Sequence, residues 1–172
     1  MNMLTCLRVA ALAAILPGAC GLALAQRTDA EPAPWQEAEV RLPDTVNLER
    51  VVTFELTRPA SLVFGIEADS LRIDADGVVR YAFVARSSSG AVNVLFEGVR
   101  CQTAEVKLYA HWDKGSGWTP VVASEWKPLS LQGPTRRAMQ MARGGVCAQT
   151  QPNGSPAQIL STLRNGHADP AR

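Results

Sequence analysis

Arg80, Glu97 and Arg100 are the residues through which this chain could most readily do chemistry. A guanidinium beside a carboxylate either grips an anionic ligand or closes on itself as an internal ion pair. The flanking pattern puts Arg80 and Glu97 on neighbouring strands joined by a serine-rich turn, where opposite charges stabilise a sheet. A structural pair is therefore expected, with a ligand site as the rival reading. Trp112 and Trp118 complete this candidate cluster. His111-Trp112-Asp113 holds half of an acid–base couple. No Ser or Cys stands in a nucleophile elbow, so a hydrolase would rest on Glu97, His111 or Asp113. Asp74-Ala75-Asp76-Gly77 resembles the start of a calcium loop, but Val78, Val79 and Tyr81 stand where further oxygen ligands are needed. Trp35, Trp112, Trp118 and Trp126 are four of ten aromatics. Indoles pack into cores or, along a groove, stack on sugars.

These residues must be held by a sheet. Leu48–Leu56 alternates apolar and polar and is rich in Val, Thr and Phe, the pattern of a strand. Ser61–Ile66 resumes after Arg58-Pro59. Leu71–Ile73 and Val78–Val84 face each other across Asp74–Gly77, a turn whose glycine accepts positive φ. Ser87–Gly90 joins that strand to Ala91–Val99, on which Val92, Val94 and Phe96 share one face and Asn93, Leu95 and Glu97 the other. Glu105–Trp112 and Trp118–Val122 supply two more strands. Beyond Gly133-Pro134 the period changes, predicting a short helix to Arg143, although Arg136 and Arg137 in its first turn oppose the helix dipole. Ser155-Pro156-Ala157-Gln158 carries an N-cap, a proline at the first helical position and a glutamine three residues on. It opens a second helix, ended by Asn165-Gly166.

The first 25 residues carry an address. Arg8 precedes an apolar run from Val9 to Leu16, then Pro17-Gly18, then Ala23-Leu24-Ala25, the pattern of a secretory signal peptide cut between Ala25 and Gln26. The run is shorter than the ~20 residues of a membrane-spanning helix. Cys20 offers an alternative, a lipoprotein cleavage site that would make the chain an outer-membrane lipoprotein. The chain has 17 Lys and Arg against 16 Asp and Glu, and losing Arg8 leaves 16 of each. A neutral chain lacks the basic face that nucleic acid binding requires. Residues 127–172 hold six basic groups and one acid, so a basic tail is expected to pack on an acidic body, with contact to an anionic surface as the alternative. Cys6 and Cys20 leave with the signal peptide. Cys101 and Cys147 remain and form a disulfide by default in an oxidising compartment. His111 and His167, far apart, make a poor metal site.

Asp76-Gly77-Val78-Val79-Arg80-Tyr81, Ser88-x-Gly90-Ala91-x-Asn93-Val94, Glu97-Gly98-Val99-Arg100-Cys101 and Tyr109-Ala110 occur in that order. With Trp35-x-Glu37 and Leu42-Pro43 upstream, and a second cysteine near the C-terminus, they resemble the CNP1-like family of exported bacterial proteins over roughly residues 35–165. The resemblance implies a cell-envelope protein of unassigned activity and brings no catalytic residues with it.

The expectation is thus an α+β protein: an antiparallel sheet of six or seven strands with one or two C-terminal helices packed on it. Residues 1–25 are read as signal peptide, 26–46 as a flexible leader pinned by Trp35, 47–166 as one domain and 167–172 as tail. A periplasmic, non-catalytic binding or structural accessory is expected. It needs no cofactor and has no transmembrane segment, and its partner is a cell-envelope protein or glycan.

Overall fold

The computed structural model describes residues 33–56 and 61–166. The chain divides into two units, 1–34 and 35–172, and the description below concerns the second. The Ala25–Gln26 junction, Cys20 and His167 lie outside the described residues.

Val79 to Ala85 is a near-continuous apolar run broken only by Arg80, the signature of a strand covered on both faces. It forms the centre of an antiparallel sheet of eight strands among the described residues. In chain order these are β1 (Val51–Phe54), β2 (Leu62–Glu67), β3 (Arg72–Ile73), β4 (Val79–Ser87), β5 (Val92–Arg100), β6 (Glu105–Asp113), β7 (Gly117–Pro120) and β8 (Lys127–Pro128). The spatial order is β1-β2-β4-β5-β6-β7. The short strands β3 and β8 pair with the free ends of β4 and β6. The expected α+β sheet is present, with eight strands because two of them are only two residues long.

Both expected turns close. At the first, Gly77 adopts φ 78° and donates to Asp74 O at 2.9 Å. At the second, Gly90 donates to Ser87 O at 3.0 Å and sets the β4–β5 register from Val79↔Val99 to Arg86↔Val92. Between β5 and β6 the register slips: Phe96 faces Ala110 and Glu97 faces Leu108, so Tyr109 is the extra residue of a bulge.

Strand alternation gives the sheet two apolar faces. Val79, Tyr81, Phe83 and Val99 point to a core shared with Met141, Val146, Ile159 and Leu163 of the C-terminal segment. That segment has a 3₁₀ turn at Gly133–Thr135, then α1 (Arg136–Met141), then a π-helical turn at Ala142–Val146. A two-stranded hairpin of β9 (Cys147–Ala148) and β10 (Gln151–Pro152) follows, and then α2 (Pro156–Arg164). Ser155 caps α2 by accepting from Gln158 N at 3.2 Å. The helix expected from Gly133-Pro134 to Arg143 is therefore broken into 3₁₀, α and π pieces. Its basic first turn weakens it, and Gly145 at φ 144° ends it.

Ala82, Val84, Val94, Phe96 and Ala110 face the other way, onto Val40, Leu42, Val46 and Leu48. The stretch read as a leader is, from Trp35 onward, a strap across this second face. Trp118 Nε1 donates to Pro43 O at 2.7 Å, and Arg72 Nη2 donates to Arg41 O at 2.6 Å. Trp35 pins the strap's start by donating from Nε1 to Asp76 O at 3.0 Å. Among the described residues no helix is long and apolar enough to cross a membrane.

Candidate functional site

Arg80 and Glu97 sit on adjacent strands, yet they do not meet. Arg80 lies opposite Gly98 and Glu97 opposite Tyr81, so their side chains leave the sheet on opposite faces. The expected cross-strand pair is corrected to two separate ion-pair sites.

On the strap face Arg80 is fully buried. Its Nη1 donates to Asp74 Oδ2 at 2.8 Å and to Asp76 Oδ1 at 3.0 Å, and its Nη2 donates to Asp76 Oδ2 at 2.7 Å. Glu37 of the strap reaches the same guanidinium at 3.5 Å. Glu37 also accepts from Lys107 Nζ at 2.8 Å and from Tyr109 OH at 2.7 Å. The turn aspartates that resembled a calcium loop are thus the counter-ions of Arg80. Among the described residues no group of three His, Cys, Asp or Glu side chains is placed to hold a metal ion. Arg72 donates from Nε to Asp74 at 3.1 Å, so Arg72, Arg80 and Lys107 balance Asp74, Asp76 and Glu37.

Burial alone would raise the carboxyl pKa of Asp76. The Arg80 guanidinium and the backbone N–H groups of Ala38 and Val78 outweigh it and hold Asp76 below its ordinary range. Glu37 behaves likewise: burial acts upward, while Lys107 and Tyr109 bring it down. Burial pushes the Tyr109 phenol up, and the Glu37 carboxylate adds to that. Gly98 makes room for this ring, since a Cβ there would lie 2.9 Å from Tyr109 Cε2 and 2.9 Å from Val78 Cγ1.

Arg100 takes a third position. It pairs with Glu105, and its guanidinium lies 4.1 Å from the Trp35 ring centre and 5.3 Å from that of Trp126. Trp112 and Trp118 are cross-strand partners that pack with the second core, Trp118 edge-on to Phe96 at 5.7 Å. The indoles are therefore packing elements under or beside the strap. His111 is exposed, and Asp113 accepts from Gly115 N at 2.8 Å. Glu97, His111 and Asp113 are not brought into one hydrogen-bonded group.

On the helix face Glu97 is 4 % exposed and receives both terminal nitrogens of Arg137, one at 2.7 Å. The Arg137 guanidinium lies 3.9 Å from the Phe83 ring centre, and its Nη1 lies 3.7 Å from Met141 Sδ. Burial, reinforced by the Glu97 carboxylate, raises the Tyr81 phenol beside them and keeps it neutral. The pair forms the floor of a cleft of about 460 Å³. Leu95, Val106 and Leu108 of the sheet, the 121–125 segment and α1 form its walls. Among the clefts found in the described residues, this one brings a buried ion pair to an accessible space, within the size range of small-ligand sites.

Arg137, Glu37 and Tyr109 were not among the expected site residues. One signal did point to Arg137: a cation in a first helical turn is disfavoured unless a partner holds it there, and Glu97 is that partner.

The disulfide joins Cys101 at the end of β5 to Cys147 of β9, with Cα atoms 5.7 Å apart, and so ties the helical segment to the sheet. The shared motifs now have physical roles. Asp76 and Arg80 form the buried pair, Gly98 admits Tyr109, and Cys101 anchors the tail. No curated protein and no solved structure matches the chain. A family model matches residues 30–164, and the chain belongs to the CNP1-like family.

Proposed function

We propose that this protein is an exported, non-catalytic binding protein of the cell envelope, and that the cleft over Glu97 and Arg137 is where it binds. The observation that carries the reading is the floor of that cleft. A salt-linked carboxylate and guanidinium, held by Phe83 and Met141, present polar atoms to a space whose sheet-side wall is apolar, formed by Leu95, Val106 and Leu108. Ligand pockets combine apolar walls with placed polar groups, and here Leu95, Val106, Leu108, Val121, Val122 and Ala138 share the lining with Ser124, Glu125, Lys127 and Thr135 beside the ion pair. The titratable groups of the two ion-pair sites are spent on one another: Arg80 on three carboxylates, and Glu97 on Arg137. That arrangement suits recognition better than proton transfer, which needs a group free to exchange its proton. Export is supported by the signal-like first 25 residues and by the Cys101–Cys147 bond, which persists in an oxidising compartment.

Intact mass spectrometry of the protein from soluble and membrane envelope fractions tests the location. The expected species is soluble, begins at Gln26 and is two hydrogens lighter than its reduced form. A species beginning at an acylated Cys20 replaces the free form with an anchored one, and a chain retaining residues 1–25 in the cytoplasm overturns export. Hydrogen exchange tests the site: residues 121–138 of protein purified natively from the envelope should exchange more slowly than in protein refolded from denaturant. Equal exchange would remove the support for an occupied cleft.

A further inference from the structure

From the chemistry of the cleft floor we infer that its ligand is a short neutral peptide with small apolar side chains, a conclusion that rests on the cleft being the binding site. A guanidinium has several N–H donors, and Arg137 commits two nitrogens to Glu97 and one contact to Met141 Sδ. A carboxylate has about four lone-pair positions, and Glu97 accepts two bonds. The floor therefore keeps both donor and acceptor capacity side by side. An amide, which carries one N–H and one C=O, matches it without a change of protonation.

The charges of the lining point the same way. Glu97 and Arg137 cancel on the floor, and Glu125 and Lys127 cancel at the rim. A ligand of either net charge gains nothing here from the summed field and loses hydration. No aromatic side chain lines the cleft, and the four indoles lie elsewhere, which removes the stacking surface a glycan uses. The apolar walls, among them Leu95, Val106, Leu108 and Ala138, suit methyl-bearing side chains. The peptide does not add a strand to β6. Leu108 O accepts from Ser124 Oγ and Tyr109 O accepts from Val121 N, so those edge carbonyls are taken. It lies over the side chains, beside a lip that includes Val122, which is 91 % exposed.

The test is an amide chemical-shift titration of ¹⁵N-labelled protein with three probes: N-acetyl-trialanine amide, decanoate and N,N′-diacetylchitobiose. The peptide amide is expected to shift Leu95, Val106, Leu108 and Ala138 saturably, with an affinity unchanged between low and high salt because no net charge is exchanged. Val122→Asp, at an exposed position that leaves the core intact, should weaken it roughly tenfold by replacing an apolar contact with a charge. Shifts of these residues by decanoate or the disaccharide but not by the peptide would overturn the ligand class and leave the cleft as the site. Shifts by none of the three, or by the peptide only elsewhere, would overturn both.

Discussion

Arg80→Met keeps most of the apolar stem of the buried side chain and removes its charge. In the native protein that charge faces Asp76, whose side chain is 2 % exposed, together with the partly buried Asp74 and Glu37. Breaking a buried ion pair from one side costs about 3–5 kcal/mol, because the partner charge stays behind without compensation. Asp76 keeps two backbone donors, Ala38 N at 2.8 Å and Val78 N at 3.1 Å, which places the expected loss towards the lower end of that range. For a domain of this size the melting temperature should fall by roughly 10–15 °C. Chemical denaturation at several pH values gives a second signature. Asp76 and Glu37 have folded pKa values below their ordinary 3.8 and 4.5. Groups lowered in this way contribute stability that is fully present above those values and is lost as pH falls through the folded ones. The wild type should therefore lose stability below about pH 4.5, and the variant should lose less, so the two curves converge in acid. Adding Asp74→Asn and Asp76→Asn to Arg80→Met should restore part of the loss. A variant within about 1 kcal/mol of wild type, with a parallel pH curve, would show that Arg80 does not hold the strap face together.

Reducing the Cys101–Cys147 bond, or replacing both cysteines by alanine, should cost about 4 kcal/mol from the entropy of a loop spanning 46 residues, read as a shift of the denaturation midpoint. Gly98→Ala should destabilise by about 1–3 kcal/mol through its clash with the Tyr109 ring and Val78, and Tyr109→Ala in the same chain should relieve part of it. Ser155→Ala should cost about 1 kcal/mol by removing the cap on Gln158 N, while Ser155→Asp should be nearly neutral in a thermal melt.

The hairpins and the cap of α2 were legible in the sequence because their signals are local. Asp-Ala-Asp-Gly and Ser-Ser-Ser-Gly each close a turn within four residues, and Ser155 bonds a residue three positions away. The face of each strand was legible on β5, where Leu95 and Glu97 oppose Val94 and Phe96 as alternation requires. The partner of Arg80 was not legible. Pairing in a sheet depends on register to the single residue, and in the actual register a neighbouring strand offers Gly98, not Glu97. The counter-ions came instead from the turn four and six residues earlier, where their spacing had suggested a metal. The strap was hidden for a different reason. Its hydrogen bonds are made one residue at a time to positions such as Asp76, Tyr109 and Trp118, and the alternation of Val40, Leu42 and Val46 that packs it is interrupted by Pro43 and Asp44.

The strap has a consequence for the order of events in the life of the chain. Glu37 meets Lys107 and Tyr109 across separations of 70 and 72 residues, and Pro43 meets Trp118 across 75. A chain delivered N-terminus first, from a ribosome or through a membrane channel, presents its strap early and the surface that receives it late. Until β7 has emerged, the strap has no complete surface on which to close. Non-local contacts of this reach slow folding. Here they make the nascent chain wait, unable to lock its first segment before most of its length has passed.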